Sequence, residues 1–403
     1  MYKRIILLVI DGLGVGELED VRWTRIRDSH CNTLKSINSN GLLYGSCLDK
    51  INLFNLYPSK YKKYGGCYLA SGKSALKHIG ADSYLGHKEI ICDNIEYKRV
   101  FVEDYIDKIK EEFGAEYNIC IRDGIIILNS NIVIANNIES DIGLNINVLG
   151  ILNQVGYDEI LEVGKRVLKI TGASRVITMG GKPLNIRKIL ESIEEREDYK
   201  RGIIKGISIP KTNIYNEDYI VEHLSKGMID KNNIINILLR KKIPISLIGK
   251  TANLFENKKI DCKNVVKMSS VFRLIFEKMK DTKHGLIFAN VQEIDLYGHS
   301  QDVNRCRRTM HEIDKNVDKI ISHLEEEDIL IITADHGNDS LIGHSFHTRE
   351  YVPILVIGKK VNYICKEIGI RNTLSDIGCS VCEYLVGITP SYGKSFFRRD
   401  SIV

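Results

Sequence analysis

Nowhere along the 403 residues does an apolar run approach the length that crosses a bilayer. The opening stretch 5–10 is apolar but too short even for a secretion signal, and it runs straight into Asp11-Gly12. Runs of Lys and Arg are missing too. The formal net charge of +5 is spread thinly, which excludes a nucleic-acid footprint and would equally suit a few basic side chains facing a small anionic substrate. Internal repeats and low-complexity tracts are absent. Cys379 and Cys382 form a CxxC, but no second pair completes a zinc site, and the surrounding pattern is helical. They read as small core residues one helical turn apart. The ten cysteines are scattered and no export signal accompanies them, so reduced thiols and a cytoplasmic location are expected. Neither a membrane nor a nucleic acid is expected as a partner, and the oligomeric state is unknown from sequence.

What is present is the balance of an ordinary globular protein, 43% hydrophobic and 27% charged. Short β-branched runs at 5–10, 243–248, 286–291, 329–333 and 354–357 end in Gly, Asp or polar loops and read as buried strands. Between two of them, Ile313, Val317, Ile320 and Leu324 recur at helical spacing. This alternation predicts an α/β fold with a mostly parallel sheet flanked by helices, in which sites gather at the carboxyl ends of strands. Residues 96–212 read differently. They are rich in Ile and Asn, include a charged stretch at 190–198 that reads as helix, and lack clusters of carboxylates with histidines. They are expected to form an inserted smaller α/β cap domain that meets the substrate, with 1–95 and 213–403 forming the metal-binding core.

Four separated segments carry metal-type ligands. Asp11 closes the first apolar run, Asp295 and His299 lie in QEIDLYGHSQD, Asp335 and His336 in ITADHGND, and His347 in HSFHTREYVP. Mixed oxygen and nitrogen ligands of this kind suit two divalent cations. A single DxxxH pair arises by chance, and a lone histidine is more often a hydrogen-bonded structural residue. All four segments in this order, with ADHG directly after an apolar strand, form a much more specific signal.

Ser83 lies in GADSYLGHKEI, after Asp82 and before a helical pattern. A serine there is commonly an N-cap. It is also where helix-terminal amides and a metal would lower a hydroxyl pKa and hold a phosphoryl group. No Ser-His-Asp arrangement competes with that reading.

Taken together, DG near the start, DS-x-x-GH, D-x-x-x-H, ADHG and HTREYVP resemble the alkaline phosphatase superfamily. HTREYVP, YGH-x-x-D and the closing GKSF are similar to its phosphopentomutase branch. The similarity also takes in VIDGLGVGE, IGKTANLF, GLIFANV and TLSDIG, and it is poor in the inserted segment. The resemblance implies an alkaline phosphatase-like core and two cations about 4 Å apart, with manganese favoured. Asp295, His299 and His347 would hold one of them. Asp11, Asp335, His336 and the Ser83 hydroxyl would hold the other. A phosphorylated Ser83 would pass its phosphate to a phosphorylated sugar or related metabolite and recover it from the other end, under a cap that keeps water out.

The chain departs from that family at several points. Ser83 stands where phosphopentomutases use threonine, as in alkaline phosphatase itself. The acid before YGH lies one position closer, giving the phosphatase spacing. In the cap, the family's phosphate-binding arginine falls on Met179, and its sugar-contacting aspartate falls near Ile146. Lys250, and less directly Lys205, remain as candidates for the substrate phosphate, although lysine offers only a point charge where arginine is bidentate. The competing functions are a metal-dependent phosphatase or phosphodiesterase using the same centre, and a non-catalytic metal-binding protein.

Overall fold

The strand Arg4–Ile10 is buried along its whole length and lies at the middle of a nine-stranded sheet. It pairs in parallel with Gly285–Val291 on one side and Asp328–Thr333 on the other. Strands covered on both faces require continuous rather than alternating apolar character, and RIILLVI, GLIFANV and DILIIT supply it. The one charge in the first of these, Arg4, is neutralised at the strand's start by Asp328 on the neighbouring strand.

This computed structural model describes residues 3–41, 43–56, 62–95, 98–139, 141–182, 184–198, 201–214, 218–225, 230–255, 259–365 and 367–398. The chain divides into two compact units, residues 1–95 with 228–403, and residues 96–227. In the first unit Ile245–Ile248 and Asp261–Lys263 continue the parallel sheet beyond Gly285–Val291. On the other side Val352–Gly358 runs antiparallel to Asp328–Thr333, and Cys67–Ser74 antiparallel to that. The expected α/β sheet is therefore present and mostly parallel, with two reversals on one flank. The predicted helix spans Val303–Ser322 with Ile313, Val317 and Ile320 buried; Leu324 lies beyond its end but is also buried. Among the described residues no helix is long and apolar enough to cross a membrane.

The second unit has its own sheet, in the order Tyr219–Ser225, Arg175–Gly181, Asn145–Ile151, Ile132–Asn137, Gly202–Ile207, Ile193–Asp198, with the hairpin Ile119–Arg122 and Ile125–Leu128 joined to Ile132–Asn137. The helices Ile106–Phe113 and Tyr157–Thr171 bury one face with Ile146 and Val148, and Leu184 and Ile189 cover the other with Met179. Two sequence expectations change here. The unit runs to residue 227 rather than 212, because Tyr219–Ser225 pairs antiparallel with Arg175–Gly181. The charged stretch 190–198 is not a helix: the helix ends at Glu191, and Ile193–Asp198 is an edge strand on Gly202–Ile207. Its alternation buries Arg196 and Asp198, which bond to the Ile138 carbonyl and to Arg99. Glu195 also pairs with Lys205 directly opposite on the neighbouring strand at 3.6 Å, so a strand whose composition reads as helical is held by its partners.

Candidate metal centre

The candidate residues converge at the carboxyl ends of the parallel strands, the position expected for sites in open α/β sheets. Asp11 directly follows Arg4–Ile10, and its amide still bonds to Val291 O at 2.9 Å. Asp295 and His299 lie on the helix Glu293–His299 just after Gly285–Val291, one turn apart on the same face. Asp335 and His336 follow Asp328–Thr333, His347 precedes Val352–Gly358, and Lys250 opens the helix after Ile245–Ile248. All are buried.

Two motif glycines allow this convergence. A Cβ on Gly86, in the GH of DSYLGHKE, would come within 2.4 Å of Asp335 O, so the helix Ser83–Ile90 can lie against Asp335 only without one. A Cβ on Gly298, in YGH, would meet Asn338 Cγ at 2.5 Å.

Two groups of side chains place their ligand atoms within 4.8 Å of one another: Asp295, His299 and His347, and Asp11, Asp295 and His336. Asp295 is common to both. Asp335 Oδ2 is also 3.4 Å from His336 Nε2. Each histidine has its Nδ1 against a backbone carbonyl: His299 with Ser345 O at 2.7 Å, His347 with Ala81 O at 2.6 Å, His336 with Gly337 O at 3.0 Å. Donation there fixes the ring and points Nε2 inward, which is how metal-ligating histidines are held.

The donor set fits divalent cations. His299 Nε2 and His347 Nε2 face each other at 3.1 Å, each 3.4 Å from an Asp295 oxygen, a grouping of nitrogen and oxygen atoms that suits a cation. The buried atoms Asp11 Oδ1 and His336 Nε2 have no hydrogen-bond partner. Burial lowers the His347 pKa well below its ordinary value and His336 adds to the effect, so the ring is neutral as a ligand must be. Burial also pulls His336 down, but Asp335, Asp11 and Asp295 outweigh it and lift the ring to about 10. Three carboxylates thus demand positive charge at that point, and a divalent ion would meet the demand in place of a proton. Burial raises the Asp295 and Asp335 carboxyls, yet His299 and His336 respectively lead the groups that hold them well below the carboxylate range.

Ser83 is the first residue of Ser83–Ile90, and the N-cap is Asp82, whose side chain accepts from Leu85 N at 3.0 Å. The serine hydroxyl is thus spared from capping. It donates to Asp335 Oδ2 and accepts from Lys250 Nζ at 2.8 Å, while the same ammonium reaches Asp11 Oδ2 at 2.5 Å. Lys250 accordingly touches the serine itself. Lys205 belongs to the second unit, on Gly202–Ile207, where it pairs with Asp123 at 2.8 Å and Glu195 at 3.6 Å. Ile146 and Met179 lie in the cores on opposite faces of their sheet, so one surface cannot present both. Their neighbours Asn145 and Asn147 alternate with Ile146 and take the Met179 side. Cys379 and Cys382 are buried on the helix Ser375–Val386.

Sequence reasoning passed over His87, Asn290 and Asn338. Asn338 Nδ2 bonds to Asp295 Oδ1 at 2.9 Å, and Asn290 Nδ2 to Asp11 Oδ2 at 3.0 Å. The visible signals were the GH of the serine motif and the N of HGND.

A model of the metalloenzyme superfamily matches residues 3–387. The phosphopentomutase of Desulfitobacterium hafniense is 28% identical over 422 residues, covering 98% of both chains. That of Caldanaerobacter subterraneus subsp. tengcongensis is 29% identical over 422 residues, covering 99% of this chain and 98% of its own. Among solved structures, Leishmania mexicana phosphoglycerate mutase is similar at 12% identity and a TM-score of 0.45, over 99% of this chain and 98% of that one. With nearly its whole length matched by that family model, the chain belongs to the metalloenzyme superfamily.

Proposed function

We propose that this chain is a metal-dependent phosphomutase, an enzyme of the phosphotransferase and isomerase kind, moving a phosphoryl group within a phosphorylated sugar or related metabolite through Ser83. One observation carries the reading. The Ser83 hydroxyl is buried between Asp335 and Lys250, beside five further carboxylate and histidine side chains whose inward atoms suit cations. The naming of similar chains as phosphopentomutases supports the same class.

In this reading Asp295, His299 and His347 hold one divalent ion, and Asp11, Asp335, His336 and Ser83 the other, with Asp295 near both. Such ions, manganese being the expected pair, supply Lewis-acid stabilisation of a transferring phosphoryl group and ease ionisation of the hydroxyl. Ser83 Oγ, its proton directed at Asp335 Oδ2, attacks phosphorus as the bond to the sugar oxygen breaks. Lys250 Nζ donates to Oγ and steadies its developing negative charge. Ser83 is charged in this way by a sugar bisphosphate; the phosphoserine then passes its phosphate to the free hydroxyl end of the substrate sugar phosphate, giving a bisphosphate, and recovers phosphate from the other end.

Incubation with manganese and ribose 1-phosphate, followed by separation of ribose 5-phosphate from free phosphate, tests this. Release of phosphate alone would select the alternative, a phosphatase with the same centre. The burial of Met179 among Leu184 and Ile189 keeps that alternative in view, since a phosphate-binding arginine is missing there.

A further inference from the structure

The histidine of the DS-x-x-GH motif has no part in the mechanism above, yet His87 is wholly buried within reach of both the serine and the second candidate cation site. Its ring stacks on Phe288, with centroids 6.3 Å apart and planes at 25°. Its Nε2 lies 2.9 Å from Asn290 Oδ1, and its Nδ1 lies 2.9 Å from Ser83 O and 3.2 Å from Asp335 Oδ2. The Asn290 amide has one sensible orientation: Nδ2 donates to Asp11 Oδ2 at 3.0 Å, and turning it over would set its oxygen against that carboxylate. Its oxygen must therefore accept from His87 Nε2. The other ring nitrogen faces only acceptors. Both ring nitrogens of His87 thus lie against oxygen atoms, and an unbroken chain of contacts runs from Asp11 through Asn290 and His87 to Asp335.

We propose that His87 and Asn290 are positioning residues: a two-residue bridge ties the Asp11 and Asp335 carboxylates to each other and to the Ser83 backbone. The two carboxylates come from loops after adjacent parallel strands, and the serine comes from a separate helix. Lys250 already joins Asp11 to Ser83, and the bridge adds a second link that engages one oxygen of each carboxylate. Asn290 occupies one oxygen of Asp11 and leaves Oδ1 facing His336. His87 steadies Asp335 Oδ2, the oxygen that also receives the Ser83 hydroxyl. Outer partners of this kind fix the direction of ligand lone pairs, and their loss typically costs about 10–100-fold in metal affinity.

The inference rests on the two-cation reading, and the test separates the two. Calorimetric titration of chelator-treated protein with manganese, checked by elemental analysis, should show two ions on the parent. In His87→Gln and in Asn290→Leu one dissociation constant should rise about 10–100-fold, while the ion held by Asp295, His299 and His347 binds as before. The double variant should be no weaker than the weaker single one, because the bridge is already broken. Should His87→Gln fail to fold, Asn290→Ser carries the same comparison at a position where only the amide is lost. Unchanged affinities in variants that melt cooperatively, equal weakening of both ions, or additive losses would each overturn the bridge while leaving the two-cation reading intact. Fewer than two ions on the parent would remove that reading and the bridge with it.

Discussion

Asp11 and His336 face each other across 3.4 Å, and the two facing atoms, Oδ1 and Nε2, are buried without a hydrogen-bond partner. Leaving such groups unpaired costs about 1–3 kcal/mol each, and a divalent cation held between them would offset that cost. Manganese should therefore raise the melting temperature of chelator-treated protein, by the equivalent of about 2.7 kcal/mol at a hundred times the dissociation constant.

The two ligand groups share Asp295 but not His299. Asp295→Ala should remove both ions, and His299→Ala only one. Elemental analysis of each purified variant measures this, and an Asp295→Ala protein still carrying two ions would disprove the sharing.

Met179 makes a different case. From sequence alone, an arginine there would look like a restored phosphate ligand. In the structure the side chain is 5% exposed and packed with Leu184 and Ile189. Met179→Arg would bury an unpaired guanidinium, a penalty of several kcal/mol. The variant should melt well below the parent and gain nothing in KM for pentose phosphates. A stable variant with a lower KM would mean that this face opens to substrate.

Glu350 supplies a pH dependence. Its carboxylate accepts from Gly16 N and Thr33 N at 3.0 Å, Thr33 Oγ at 2.7 Å and Thr348 Oγ at 2.6 Å. Burial pushes the group up to about 7, and these donors offset it only in part. A raised carboxyl pKa means that the folded chain holds a proton which the unfolded chain releases from about pH 4.3 upward. The stability is present below that value and is lost as pH rises through about 7, to the extent of about 3 kcal/mol. In metal-free protein, urea midpoints of Glu350→Gln and parent should be close near pH 5. By pH 8 the parent should have fallen behind. A parent that instead gains with rising pH would show that the four donors outweigh burial.

Strands that are covered on both faces announce themselves as unbroken apolar runs, which is why the central strands were legible in sequence. Cys67–Ser74 was not, because CYLASGKS contains no such run and is a strand only through its neighbours Val352–Gly358 and Gly369–Arg371. Ile193–Asp198 misled for the opposite reason, its charges favouring helix until paired across an edge. The metal-type ligands were readable because carboxylates and histidines at strand ends have few other uses in such number. His87 and Asn290 act through other side chains, and no spacing rule marks residues that do so.

Ser83 bears the decisive test. A mutase that carries phosphate on the protein must pass through a covalent form, so intact-mass analysis after priming with a sugar bisphosphate should show one added phosphate, mapping to the peptide that holds Ser83. Ser83→Ala should lose activity by on the order of 10⁴-fold or more, as removal of a nucleophile does. Asp82, not Ser83, caps the helix, so the alanine variant should keep its fold and its melting temperature to within about 1 kcal/mol of stability. Lys250 would lose one of its acceptors and retain Asp11. Ser83→Thr should keep substantial activity, because the oxygen remains and the resembling family uses threonine there. The added methyl must fit a position only 2% exposed, which sets the cost of the exchange. Phosphate on another residue, or an active alanine variant, would end the phosphoserine mechanism and favour direct hydrolysis at the same side chains.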